Sequence, residues 1–271
     1  MKFENPQPAE WINVTPRNHL MDFFILSTGT IVGIVLISYF LGVLAGYLAQ
    51  RVPFEVEVAF SQPFEKTEEA ITEKQKYLKN LVSSIALCSD LPNKIQIKHH
   101  YNEDNLINAF ATLGGNIVIF QGMIDELDNE NQLAMIIAHE IAHIKNRHPI
   151  KSLGRGVIIS ISFAMLFGNN IANPLGQTGL LTALSFSREM EIQADSDGLV
   201  ALQQCYGHIG GSREVFAKLE VIQQRKGIKQ LPFLSTHPLN KNRISNTTKL
   251  SLQNSWDTKG KITKFPEFIQ N

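Results

Sequence analysis

From Phe23 to Gln50 the chain reads FFILSTGTIVGIVLISYFLGVLAGYLAQ, without one Asp, Glu, Lys, Arg or His. A helix needs about 20 such residues to cross the hydrocarbon of a bilayer, and in lipid it satisfies every backbone polar group within itself. The stretch therefore predicts a single N-terminal transmembrane helix, with the lipid bilayer as partner of residues 23–50. A signal peptide has a shorter apolar core behind a basic start. Here a mixed-charge leader with prolines, residues 1–22, comes first, so the helix is expected to stay as an anchor. Lys2 and Arg17 before it match Arg51 and Lys66 after it, and the positive-inside rule sets no orientation.

The rest of the chain is long enough for one core rather than two. Over the whole chain 25 basic residues balance 25 acidic ones, which argues against nucleic acid as a partner. Cys88 and Cys205 are the only cysteines, too few for a disulfide framework or a cysteine zinc cluster. One bridge remains open if the domain faces an oxidising compartment.

Residues 51–67 carry prolines and scattered charge, which suits an extended linker or an edge strand. The domain is expected over residues 68–250, followed by a polar tail at 251–271. Ile71, Leu78, Leu81, Val82 and Ile85 recur at helical spacing, predicting a helix over 68–87 that ends before Pro92. Ile95 and Ile97 alternate with polar residues, and Asn116 to Gln121 (NIVIFQ) is β-branched and aromatic behind Gly114-Gly115, so both read as strands of a small sheet. The next helix has Asn129 as N-cap, Gln132 as capping-box partner and a basic end before Pro149. Between Arg155 and Arg188 no charge occurs, but the best apolar block, GVIISISFAMLFG, is short for a span. It reads as a buried helix and loop, with a membrane-touching hairpin as the alternative. Helices are expected in SREMEIQADSDGLVALQQ and from Ser212 to Lys226, the latter closed by Gly227.

The chemistry starts at His139-Glu140-Ile141-Ala142-His143. Residues four apart share a helix face, so both imidazoles can reach one zinc ion at about 2.0 to 2.1 Å, with Glu140 placed as general base for a metal-bound water. A catalytic zinc takes three protein ligands and keeps one position open. The metzincin extension needs glycine and histidine where Asn146 and Pro149 stand, and His148 is off that register. From Ile144 to Arg188 there is no Asp or Glu, leaving Glu189, Glu191, Asp195 and Asp197 as the nearest downstream acids. Glu191 and Asp195 form an i, i+4 pair, which suits Glu191 as third ligand and Asp195 as the carboxylate orienting a ligand histidine. The bland alternative is a solvated acidic face, but basic partners are scarce beside it.

HEIAHIKNRH, SREMEIQADSDG and STHPLNKNRI, with the upstream NAFATLGGNIVIFQGMID, resemble the signature blocks of the zinc metallopeptidase family containing HtpX, BepA and the CAAX prenyl endoprotease. The resemblance covers roughly residues 70–245. It implies an α+β, mainly helical zincin-like domain with a small sheet, and one Zn2+ per chain on His139, His143 and Glu191. It also implies Glu140 as base, Asp195 as supporting carboxylate, and His237 and Arg243 close to the active site. Read from the residues, His237 before Pro238 could be a cap neighbour and Arg243 could pair with any surface acid; in a functional role either could donate to an oxyanion. Gln193 departs from the pattern, at a place often acidic in relatives.

The expected function is a membrane-anchored zinc metalloendopeptidase, acting on extended or unfolded polypeptides in quality control of membrane or envelope proteins. NIVIFQ is the expected edge strand for substrate. Anchored relatives favour an extracytoplasmic domain. The rival is an anchored chaperone or adaptor whose zinc only holds structure, against which Glu140 speaks.

Overall fold

The computed structural model describes residues 18–49, 51–61, 72–167, 186–225, 231–238 and 241–270. Helix α1, His19–Ala49, has 31 residues and is about 46 Å long. It is the one helix among the described residues long and apolar enough to cross a membrane. Phe24, Leu26, Leu36 and Phe40 stand exposed on it, which water does not tolerate over such a length.

The segment after α1 corrects the expectation of an extended linker: Phe54–Phe60 is a helix, α2. Pro53 occupies its N-cap, where no helical N–H is required. Phe54 and Glu57 are buried; Glu57 ion-pairs with Arg147, which also donates to the Val52 carbonyl at 2.8 Å. Residues 62–67 of the expected linker lie outside the described residues.

Helix α3, Glu73–Leu87, starts in a capping box between Thr72 and Gln75 and buries Leu78, Leu81, Val82 and Ile85. The first residues of the expected helix, 68–71, fall outside the described chain. Three strands follow, β1 (Lys98–Asn102), β2 (Ala109–Thr112) and β3 (Asn116–Phe120), in the order β1-β3-β2. β1 runs parallel to β3 and β2 antiparallel to it. Two expectations change here. Ile95 and Ile97 pack on the core from an unpaired segment, and the strand begins only at Lys98, opposite Asn116. NIVIF is the central strand, not an edge. The turn before it needs glycine: Gly115 has φ 81° and a Cβ there would lie 2.1 Å from the Gln96 carbonyl oxygen.

After α4 (Gln121–Glu126) comes α5, Glu130–Lys145. Asn129 accepts the Gln132 N–H at 3.0 Å as expected, while the Gln132 side chain reaches back one residue further, to the Asp128 N–H at 2.8 Å. Every residue from Asn131 to Ile144 is buried, so α5 is the central helix of the domain. Arg147, in the left-handed region at φ 58°, turns the chain into α6, His148–Phe167. α6 leaves the core to lie along α1: a Cβ on Gly154 would meet Ala45 Cβ at 3.6 Å, and one on Gly46 would meet Arg155 at the same distance. The remainder of the uncharged stretch, 168–185, is outside the described residues.

Helix α7, Arg188–Tyr206, is capped by Ser187 and ended by Gly207 at φ 73°. It packs on α5 through Gly198, where a Cβ would come 3.3 Å from the His139 backbone nitrogen. α8 (Ser212–Arg225), α9 (Pro232–Thr236) and α10 (Lys241–Gln253) complete the helical layer; Gly227 is not among the described residues. The polar segment expected to be a tail lies against the core. Ile269 is fully buried, Thr263 accepts the Glu130 N–H at 3.0 Å, and Gln270 donates to the Ile124 and Leu127 carbonyls.

Cys88, at the C-cap of α3, is bonded to Cys205 in the last turn of α7, 117 residues away. Closing so long a loop restricts the unfolded chain strongly. The double variant Cys88→Ser/Cys205→Ser is expected to lose about 2 to 5 kcal/mol of stability, read as a lower denaturant midpoint with a steeper slope because the unfolded chain expands; an unchanged midpoint would show that the bridge does not constrain the domain.

Candidate metal centre

The buried face of α5 carries His139 and His143 one turn apart, and their Nε2 atoms are 3.0 Å from one another. α7 brings Glu191 opposite them, with its carboxylate oxygens 3.5 Å from His139 Nε2 and 3.4 Å from His143 Nε2. His237, just after α9, adds Nδ1 at 3.2 Å from His139 Nε2 and 3.1 Å from Glu191 Oε1. One ligand atom from each of the four residues falls within 4.8 Å of all the others, and all four are buried.

These distances can be set against a metal. Donors about 2.1 Å from a tetrahedral ion stand about 3.4 Å apart, and the measured separations scatter around that figure. Charge points the same way. Glu140, Glu191 and Asp195 are buried with Arg243 as the one buried guanidinium beside them; one guanidinium does not balance three carboxylates, and the remaining negative charge calls for a metal ion or a protonated histidine among the donors. The residues fit a divalent cation.

The charged groups around the centre hold one another. Arg243 is fully buried and grips Asp195 with two bonds of 2.7 Å, from Nε and from one terminal nitrogen. Its other terminal nitrogen lies 2.8 Å from Glu191 Oε2 and donates to the His237 carbonyl at 3.3 Å. Its guanidinium carbon sits 4.9 Å above the centre of the Phe216 ring. Burial works against the Asp195 anion, but the Arg243 charge and hydrogen bonds hold its carboxyl below the usual carboxylate range. Asp195 Oδ1 lies 2.9 Å from His139 Nδ1. Burial would also lower His139, yet hydrogen bonds to the Asp195 and Glu191 carboxylates and their charges overcome it and raise His139 to about 9. A nitrogen so placed favours any positive charge, proton or metal.

Glu140 is set apart from this group. One of its oxygens accepts the Ala111 N–H of β2 at 2.7 Å, which turns that amide away from β3. The other makes no hydrogen bond and lies 3.4 Å from His237 Nε2, itself without one. Leaving two buried polar atoms without hydrogen bonds is costly, about 1 to 3 kcal/mol each, so a polar group of a substrate would gain by bonding to either. Burial raises the Glu140 carboxyl above the ordinary range, against the lowering influence of His237 and His139, which moves it toward the strength a general base needs.

All seven residues singled out in the sequence, His139, Glu140, His143, Glu191, Asp195, His237 and Arg243, thus meet at one place. Arg243 does not face the open side; it is committed to Asp195 and Glu191. Two further residues of the site carry little sequence signal. Phe186 stacks on His143 at 3.9 Å between ring centres. His148, whose imidazole burial pushes down to about 4, lies with Nδ1 2.9 Å from His143 Nδ1; its spacing in HEIAHIKNRH, five beyond His143, is the one hint of it. The edge strand beside Glu140 is β2, the hydrogen-bonding neighbour of the central NIVIF.

A model of peptidase family M48 matches residues 72–251, well over half the chain. Among curated proteins, the mitochondrial metalloendopeptidase OMA1 of Schizosaccharomyces pombe is 33% identical over 150 residues, covering 54% of this chain and 44% of its own. The β-barrel assembly-enhancing protease of Escherichia coli is 31% identical over 171 residues, 56% of this chain and 34% of its own. The chain spans less than half the length of these relatives.

The Asp195–Arg243 pair yields a prediction of its own. Arg243→Ala should destabilise the domain by about 3 to 5 kcal/mol, because it leaves buried carboxylates unpaired. Thermal or denaturant unfolding measures the loss; a change under 1 kcal/mol would mean that water reaches Asp195 in its place.

Proposed function

The chain belongs to peptidase family M48, and on that footing we propose that it is a membrane-anchored zinc metalloendopeptidase. The observation that carries this is Glu140, buried beside the four metal-type donors yet outside their ring, with one oxygen free. His139, His143 and Glu191 would hold one Zn2+, which when bound polarises the scissile carbonyl and makes its water acidic enough to ionise near pH 7. Glu140 would serve as the base that takes a proton from the attacking water and returns it to the leaving amine. Asp195 keeps the His139 proton on Nδ1, so that Nε2 is left as a lone-pair donor, and Arg243 holds Asp195.

His237 Nδ1 stands among the ligand atoms, where a catalytic site needs an open position. For hydrolysis His237 turns aside, which leaves it next to the carbonyl oxygen and able to donate to the tetrahedral intermediate. An extended polypeptide would lie along β2, against the outward backbone groups around Ala111, since strand addition tolerates many side chains. Unfolded or unassembled membrane and envelope proteins suit such a site, and the similarity to a mitochondrial metalloendopeptidase and a β-barrel assembly-enhancing protease agrees with a role in quality control.

α1 would span the bilayer, as its exposed apolar surface requires. The Cys88–Cys205 bridge favours an oxidising side for the domain, outside the cytoplasm. The four-donor ring also gives the rival, an anchored peptide-holding protein with structural zinc, one supporting feature, because structural sites are closed. That rival leaves the buried free oxygen of Glu140 without a purpose.

Glu140→Gln should leave fold and bound metal intact and reduce cleavage of an unstructured polypeptide by at least about 100-fold. Full activity would sink the mechanism, and wild-type protein that binds the polypeptide without turnover would favour the rival. In intact cells, added protease should reach the domain without lysis of the inner compartment; protection until lysis would reverse the proposed orientation.

A further inference from the structure

The two histidines on α5 are oriented by unlike partners. His139 Nδ1 meets the Asp195 carboxylate. His143 Nδ1, pointing away from the other donors, meets another imidazole: Nδ1 of His148, 2.9 Å away. His148 is the first residue of α6, and none of its surface is exposed. Two ring nitrogens at that distance share one hydrogen, so one donates and the other accepts. His143 keeps the Nε2 lone pair for the metal; its proton therefore sits on Nδ1 and is donated to His148.

That assignment fixes every group beyond it. With Nδ1 accepting, His148 carries its own proton on Nε2, which lies 3.3 Å from Gln193 Oε1. The Gln193 amide nitrogen donates to Asn146 Oδ1 at 2.7 Å. The Asn146 amide nitrogen donates to the Ala142 carbonyl at 2.9 Å and to Asp197 Oδ2 at 2.6 Å. Each donor finds an acceptor, the direction never reverses, and the chain ends on the Asp197 carboxylate at the domain surface, near Lys145 at 3.9 Å. The turn that brings His148 back over His143 depends on Arg147 in its left-handed conformation, a position costing about 1 to 2 kcal/mol for a residue with a side chain and held by the Glu57 ion pair and the Val52 carbonyl.

We infer that His148 is a positioning residue for His143, and that the relay His148–Gln193–Asn146–Asp197 holds His143 in the tautomer that presents Nε2 to the metal. The inference rests on the metal-binding function proposed above. It also gives Gln193 a purpose: an amide accepts the His148 proton on one side and donates to Asn146 on the other, which a carboxylate does not do.

The test uses the full chain in detergent and measures zinc affinity by chelator competition, with the visible spectrum of the cobalt-substituted protein alongside. His148→Leu, which removes the acceptor, is expected to weaken zinc binding about 10- to 100-fold and to shift the cobalt bands. His148→Asn places an acceptor oxygen near the Nδ1 position and should restore affinity to within about threefold of wild type. Wild-type affinity in His148→Leu, or an equal loss in His148→Asn, would overturn the inference. Should His148→Leu fail to fold, Gln193→Leu at an exposed position decides: weakening of at least about threefold supports the relay, and unchanged affinity overturns it. Glu191→Ala separates the two readings, because zinc retained there removes the metal site itself, whereas zinc lost there but held normally by His148→Leu removes only the relay.

Discussion

Three carboxylates in a nearly water-free space, Glu140, Glu191 and Asp195, are the constraint around which the domain is organised. Left alone they would repel one another and stay protonated. Arg243 takes up part of the charge through its fork on Asp195 and its contact with Glu191, and the histidines face the remainder. The fold follows from bringing these groups together: α5 runs through the core, Gly198 lets α7 approach it, and α10 delivers the guanidinium from the far end of the chain. A buried ion pair is weak evidence for stability in itself. Here it arranges donors around a point, and the excess of carboxylates over guanidinium favours a positive charge among those donors.

The metal-side residues were legible because their chemistry is local. Asn129 and Gln132 mark where α5 begins, the i, i+4 spacing sets His139 and His143 on one face, and the acid-free stretch after Ile144 leaves few candidates for a third donor. What the sequence did not reveal depends on pairing across space. Nothing in NIVIFQ tells whether its strand lies at an edge or in the centre, since both faces are apolar either way. Ile95 and Ile97 alternate like a strand, but strand pairing begins only at Lys98, and the Ile95 N–H turns back to the Pro92 carbonyl at 2.8 Å. α2 is too short, and too rich in valine, to show a helical period. The C-terminal segment binds through backbone and amide hydrogen bonds with a single buried isoleucine, Ile269, which polarity counts overlook. His148 has little sequence mark of its role, because it lies beyond the end of α5 and only the left-handed turn at Arg147 brings it back over His143.

The anchor and the site are physically continuous. α6 starts at His148 beside the metal centre and ends alongside α1, while α2 pins the turn at Arg147 through Glu57. The segment that follows α1 thus touches the turn at the end of α5, the helix that carries His139 and His143.

The central claim is a single zinc ion on His139, His143 and Glu191 with Glu140 outside its ligands. Anomalous diffraction at the zinc edge from crystals of the purified chain tests it most directly. One peak per chain is expected, about 2.0 to 2.1 Å from each histidine Nε2 and about 2.0 to 2.2 Å from a Glu191 oxygen. A peak elsewhere, or one with Glu140 among its ligands, would contradict the account.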